Sequence, residues 1–374
     1  MKPIRYLAAC SGFALLLASV GPSSARAQRL SANVSATSAR VSVVASGLNN
    51  PRGLKFGPDG YLYVAEGGKG GSSSTVGTCE QVPAPVGPYS GGPSGRILKI
   101  TSPGHVTTVV DGLPSGVSSL PSGDTVGVAD IAFVGDHLFA LLAGGGCSHG
   151  NPETPNGVIQ VDADHGTWSY VADLSAFQHA NPIANAGPSV EDWEPDGTWY
   201  SMLALDHHLY VVEPNHQEID RISLATGKIE RVADVSASSA TWVGPTAIVH
   251  DDGHLFFGSL APFPITVGSA SVFKLRPNGN FKEWRTGFTT VVGLAFGDDD
   301  RLYVLELSAA PGFPSPGAGK LVRVSPSGRT EDILTGLVVP TAMTLGPDGA
   351  LYISNFGAAP PGLGQIIRVE IAED

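Results

Sequence analysis

Three features of the sequence predict an all-β chain folded as a six-bladed β-propeller, with four-stranded antiparallel blades. A tight turn followed by a Leu-anchored apolar strand recurs six times. Where no insertion intervenes, the copies repeat every roughly 40–50 residues, the period of a propeller blade. No window of about 11 residues carries a helical pattern of apolar positions.

The chain opens with a segment that does not belong to this pattern. Lys2 and Arg5 precede an apolar run, and the small-x-small site "ARA" ends at Ala27. This reads as a secretory signal peptide over 1–27, cleaved near Ala27 and Gln28, with extracytoplasmic (periplasmic or secreted) localisation as its consequence. A flexible linker is expected over 28–40 and the propeller over 41–374. Cleavage removes Cys10 and leaves Cys79 and Cys147, an even pair that an oxidising compartment would join as a disulfide.

The repeated stretches are "GPDGYLYVAE" (57–66), "VGDHLFALLA" (134–143), "LDHHLYVVEP" (205–214), "HDDGHLFFGS" (250–259), "GDDDRLYVLE" (297–306) and "GPDGALYISN" (346–355). Each sits in a four-strand plan. A small apolar strand such as "GLKF" (53–56) or "GLAF" (293–296) comes first, and the Leu-anchored strand follows. A third strand such as "GRILKI" (95–100) or "QIIRV" (365–369) and a fourth such as "VTTVV" (106–110) complete the blade. Alternation of Val, Ile and Tyr suits strands packed face to face, and turns such as "SPGH" and "RPNGN" suit hairpins. The sixth unit ends after three strands. "VSVVASGL" (41–48) resembles the missing fourth, so the N-terminal strand is expected to pair with 365–369 and close the ring without an open sheet edge. A seven-bladed ring that uses 175–200 as a degenerate blade is the alternative.

Composition agrees with a turn-rich globule. There are 48 Gly and 29 Pro, yet 42% of residues are hydrophobic and 15% are charged. The formal net charge is −12, with no basic stripe, so no nucleic-acid partner is expected. No apolar run in the mature chain is long enough to span a bilayer, and a monomer is expected.

Loop lengths sort by position. Turns between strands one and two, and between three and four, are short. Connections between strands two and three are long at 67–94, 144–156, 259–270, 308–319 and 356–364, and brief at 213–218. In an up-and-down blade these long loops and the inter-blade crossings leave on the same face, where binding sites concentrate. Glu66, Glu213, Glu306 and Asn355 end second strands at that face. His149, Asp192, Trp193, Glu194, Asn215, His216 and Trp242 lie on loops that reach it. Two readings follow: a carboxylate-lined, aromatic-rimmed pocket for a small ligand or a divalent cation, or carboxylates that cap loop amides. "DHH" (206–208) falls in a short turn on the opposite face. The chain has no His-Glu-x-x-His, no Cys-x-x-Cys, no Walker loop and no Gly-x-Ser-x-Gly elbow, and so no residue is singled out as catalytic.

At "LNNPRGLKFGPDGYLYVAEGG", "YVVEPNHQEIDRI" and "VPTAMTLGPDGALYISNFG" the chain resembles the ScyD/ScyE family over about residues 41–374. These are exported NHL-like propellers named for their place in gene clusters for the indolic-phenolic pigment scytonemin. The loops "GTCEQVPAPVGPYSGG" (77–92) and "LLAGGGCSHG" (141–150) belong to the resemblance. "EPDGTWYSM" (194–202) is a divergent form of a family segment, with Trp199 and Ser201 where an amide and a small residue are expected. The resemblance implies the fold and export, and a phenolic or aromatic ligand that is bound or processed. Six-bladed lactonases, by contrast, hold a divalent cation with Glu, Asn and Asp at the channel mouth. Here the first strands begin at Asn50, Asp130, Trp242-Val243-Gly244, Thr290 and Pro340, which is a different set. NHL domains that serve as protein-interaction platforms supply the rival function.

Overall fold

The computed structural model describes residues 35–36, 39–120, 123–185, 193–238, 242–298 and 300–371. The expected leader, and Asp192 among the candidate site residues, lie outside them.

Six antiparallel sheets form the blades. Blade 1 contains Pro51–Phe56, Leu62–Glu66, Ser90–Ser102 and His105–Val117, with Thr125–Val126 added at its edge. Blade 2 contains Val128–Val134, His137–Leu142, Gly157–Asp162 and Thr167–Asp173. Blade 3 contains Ser201–Leu205, His208–Glu213, Glu218–Ser223 and Ile229–Asp234. Blade 4 contains Gly244–Asp251, His254–Leu260, Ala270–Leu275 and Phe281–Phe288. Blade 5 contains Val291–Phe296, Leu302–Glu306, Gly319–Val324 and Thr330–Leu337, with Ser35–Ala36 paired outside the last. Blade 6 takes Ala342–Leu345, Leu351–Asn355 and Gly364–Ile371 from the C-terminal end and Ala39–Leu48 from the N-terminal end. Val41 lies opposite Val369 and Ala45 opposite Ile366. This strand begins at Ala39, slightly before the expected boundary, and Ser35–Ala36 is also paired within the segment expected to be linker.

The core is divided among the blade interfaces, one apolar cluster to each neighbouring pair. Blades 1 and 2 share Ile97, Leu113, Ile131 and Leu142. Blades 2 and 3 share Leu141, Trp199, Met202 and Leu209. Blades 6 and 1 meet through Val44, Leu48, Leu54 and Ile366. Each fully buried aliphatic side chain is worth about 1.5–3 kcal/mol, so the interfaces carry most of the stability.

The two GPDG copies show why the turn text recurs. Asp59 Oδ1 accepts from Tyr61 N–H at 3.1 Å, and Oδ2 takes the Tyr63 hydroxyl at 2.8 Å and Lys99 Nζ at 2.6 Å. Asp348 repeats this with Ala350 N–H, the Tyr352 hydroxyl and Arg368 Nε. The turn aspartate thus ties strands one, two and three together. Gly60 and Gly349, at φ 78° and 73°, supply the left-handed position that follows it.

Two features depart from the sequence expectation. Leu174–Ala180 and Val235–Ser238 are helices in the inter-blade crossings. The first is capped by Asp173, whose side chain accepts from Ala176 N–H. Two turns are too short to show a periodic stripe. The described residues of 175–200 hold no strand and so do not supply a seventh blade. The third and fourth strands of blade 1 are also much longer than "GRILKI" and "VTTVV". They extend through the glycines of "SGG", because Gly91 and Gly150 pack backbone to backbone. A Cβ on Gly91 would stand 2.4 Å from Gly150 backbone.

Cys79 and Cys147 form the expected disulfide, joining the insertions of blades 1 and 2. The bridged residues are 68 apart, and the chain-entropy argument assigns such a loop about 4 kcal/mol. Reduction is therefore expected to lower the denaturant midpoint of the protein without changing its far-UV circular dichroism. Alkylation of Cys79 and Cys147 in the unreduced protein would overturn the bond. Deleting 28–47 removes the outer strand of blade 6 and strips Val44 and Ala45 from the interface with blade 1. Thermal unfolding should then broaden and move down, and an unchanged transition would show that the ring does not depend on this strand.

Candidate functional site

The four strand-end residues share one role. Glu66 Oε1 accepts from Asn49 N–H at 2.7 Å, Glu213 Oε1 from Thr198 N–H at 2.8 Å and Glu306 Oε1 from Thr289 N–H at 2.8 Å. Asn355 Oδ1 accepts from Val338 N–H at 2.9 Å. Each donor lies in the crossing that enters the same blade, so each buried oxygen fastens that crossing to the end of the second strand. The second oxygens are also engaged. Glu66 pairs with Arg96, Glu213 takes the backbone amide of His216, and Glu306 Oε2 lies 3.6 Å from Lys320 Nζ. Of the two readings of Glu66, Glu213, Glu306 and Asn355, the geometry favours amide caps over a pocket lining. The residues do not fit a divalent cation, since each carboxylate is held at its own blade. Among the described residues no three His, Cys, Asp or Glu side chains converge as a metal site.

The centre of the ring is nearly filled. Tyr200, at the start of blade 3, reaches across to blade 6, where its hydroxyl donates to Thr341 O at 2.8 Å. Burial pushes this phenol well above its usual range. Asp130 is buried against Gly53 and accepts from Ile131 N–H at 2.8 Å and Met202 N–H at 2.9 Å. The cavity that remains is about 80 Å³. Small-molecule pockets usually run to roughly 300–1,000 Å³, so the channel admits water rather than substrate.

The structure gathers a subset of the predicted residues beside blade 3. His149 closes a single 3₁₀ turn, Cys147–His149, within the disulfide-bonded insertion of blade 2. Its Nδ1 faces Gly145 O at 2.6 Å and its Nε2 faces Glu194 Oε2 at 2.7 Å. Tyr89, from the blade 1 insertion, donates to Glu194 Oε1 at 3.3 Å and sets its ring edge-on to His149, 5.0 Å between centroids. Burial opposes charge on His149, but the Glu194 carboxylate and the Gly145 carbonyl outweigh it and raise its pKa above 6.5. This buried His149–Glu194 pair joins two insertions to the crossing that carries Trp193.

Trp193 lies on His216, with ring centroids 4.1 Å apart. His216 is 3% exposed, and neither ring nitrogen has a hydrogen-bond partner among the described residues. Burial, with the nearby Arg231 and His179 charges, pulls its pKa down to about 3, so the ring is neutral. His216 sits in the connection 214–217 of blade 3, the shortest of the six. On the other side of this connection Gln217 Oε1 accepts from Val243 N–H at 2.9 Å, next to Trp242, which packs over Gly244. Trp193, Asn215 and Trp242 are all half-buried. His216 and Gln217 thus lie between two tryptophan-bearing crossings. Gln178 Oε1 is also buried without a hydrogen-bond partner among the described residues, and Asp220 is buried beside Trp199 and Arg231. Sequence reasoning passed over Tyr89, Gln178 and Asp220 because nothing local marks them. Asp220 reads as the polar half of an alternating strand.

No family profile and no curated protein matches the sequence. Solved structures match its fold. The soluble aldose sugar dehydrogenase of Escherichia coli is 12% identical at TM-score 0.52, over 89% of this chain and 100% of that one. A gluconolactonase of Xanthomonas campestris is 9% identical at TM-score 0.51, over 89% and 90%. The calcium-binding protein regucalcin of Agrobacterium tumefaciens is 13% identical at TM-score 0.51, over 91% and 96%. At these identities the likeness establishes the six-bladed propeller and nothing finer.

The two histidines should respond to pH in opposite senses. His149 has a folded-state pKa raised above 6.5, so its stabilisation is complete below pH 6.5 and is lost as pH rises through the higher folded-state pKa. His216 has a depressed one, so its contribution is present above pH 6.5 and lost as pH falls toward about 3. In urea titrations across pH, H216F should flatten the acid limb and leave the alkaline limb in place. H149A strands Glu194 in the interior and should cost about 3–5 kcal/mol near neutrality. A loss below 1 kcal/mol would show that the pair holds nothing together.

Proposed function

We propose that this chain is an exported propeller that binds a small aromatic, phenol-like ligand on the shelf formed by Trp193, Asn215, His216 and Trp242. The observation that carries the reading is His216, buried and neutral with both ring nitrogens unpartnered among the described residues, under a half-buried indole. A neutral imidazole offers one donor and one acceptor, the complement of a phenolic hydroxyl. Tryptophan offers a flat apolar face for the ring of the ligand. His149, Glu194 and Tyr89 serve as positioning residues that hold the crossing in place. The resemblance to the ScyD/ScyE propellers points to the same ligand class and to export.

Titration with p-cresol and indole, followed by tryptophan fluorescence and thermal shift, tests the reading. At least one probe should quench emission and raise Tm by linkage. W193A and H216A should each weaken binding at least tenfold, whereas the far-turn variant H207A/H208A should bind as the parent does. Full affinity in both shelf variants would overturn the assignment.

A protein-interaction reading rests on a separate feature. The insertions of blades 4 and 5 are bridged by paired hydrogen bonds between Ile265 and Gly312. They display Phe313, 69% exposed, stacked on Phe263 at 5.9 Å. If this knob is what the protein uses, F313D should abolish function in the producing cell while aromatic-probe binding at the shelf stays intact.

A further inference from the structure

The face opposite the insertions carries a groove between blades 1 and 2 of about 950 Å³. It is walled by the short turns at Asp59, Asp136 and Asp164 and by the strands bearing Lys99, Gln160 and Trp168. Its floor is aromatic and held in place. Tyr63 and Phe133 meet edge to face at 5.0 Å. Trp168 packs against the blade 1–2 core and meets Tyr170 edge-on at 5.5 Å.

The rim offers both donors and acceptors. Lys99 is fixed by Asp59 at 2.6 Å and lies over the Tyr61 ring at 4.7 Å. The Gln160 carboxamide is oriented by His137 Nδ1 at 3.2 Å. Asp136, Asp164, Thr167 and Ser169 make no side-chain hydrogen bond to any described residue. Four aspartates against one lysine repel anions such as phosphates. An organic cation would need acceptors alone, and two of the four carboxylates already have partners: Asp59 the Lys99 ammonium, and Asp162 the His165 imidazole at 2.8 Å. A neutral polyol needs alternating donors and acceptors around a flat apolar face, and this groove has both. The C–H face of a sugar ring can lie on Trp168 while its hydroxyls bridge Gln160, Asp136 and Asp164.

We infer that the groove between blades 1 and 2 is a second binding site, on the short-turn face, that takes neutral oligosaccharide chains. It shares no residue with the Trp193 shelf, so either site can fail without the other.

Calorimetric titration with cellotriose, maltotriose and chitotriose, with spermidine alongside, tests the inference on the full mature chain. At least one trisaccharide should bind with little dependence on salt. W168A should weaken it tenfold or more, and W193A should leave it unchanged. Should W168A fail to fold, D136A/D164A on the exposed turns must show the same loss. The inference is overturned if no trisaccharide binds at millimolar concentration, if affinity survives in these groove variants, or if only spermidine binds and salt abolishes it.

Discussion

Every blade of this ring is a sheet with two buried faces, and neither face is satisfied until a neighbour covers it. The six apolar clusters are thus shared property: no blade owns a core of its own. This constraint explains why one strand pattern is written six times. It also explains why the outer strand of blade 6 is supplied by the other end of the chain. Without Ala39–Leu48, the Ile366 side of blade 6 and the Leu54 side of blade 1 would lose part of their cover.

The crossings between blades must be held as firmly as the faces, or the wedges could slide. Glu66, Glu213, Glu306 and Asn355 do this with a single geometry, each receiving one amide from the incoming crossing. That Asn does the work of Glu in blade 6 shows that the requirement is an acceptor oxygen, not a charge. At the seam, hydroxyls take over: Thr341 donates to Pro51 O at 2.7 Å and Ser354 to Arg52 O at 2.6 Å. With the crossings pinned and the centre filled by Tyr200, the surfaces left open are the rims. One rim carries an aromatic shelf over a neutral histidine, the other an aromatic groove edged with carboxylates and amides.

The insertions of blades 1 and 2 are organised by charge and covalent linkage as well as by a small apolar cluster of Val82, Tyr89 and Val126. The disulfide brings the blade 1 and blade 2 insertions together, and the His149–Glu194 pair, braced by Tyr89, ties them to the crossing before blade 3. A buried pair of this kind adds little net stability over an apolar substitute, but breaking it is costly, which makes it a means of fixing one arrangement. Through it the position of Trp193 depends on residues from the insertions of blades 1 and 2.

Blade number, strand order, the pairing of the N-terminal strand and the sorting of loops to one face were all legible in the sequence. They follow from local text: alternation, turn residues and the period of the anchor leucines from Leu209 to Leu351. The disulfide was legible because, with Cys10 in the expected leader, Cys79 and Cys147 have one pairing. The roles of the individual site residues were not. Glu66 and Glu194 look alike in the sequence, yet one caps an amide of its own blade and the other meets a histidine from a different insertion. Nothing local distinguishes them, since the partner is decided by how far each loop rises and which neighbour it meets. The same holds for Tyr200, a strand-start residue whose function as the plug of the ring exists only once blades 3 and 6 face each other across the axis. Local sequence settled what each segment forms, because strand pairing and turns depend on near neighbours. The tertiary structure alone settled what each polar group touches, because those contacts are made between segments that the chain itself keeps far apart.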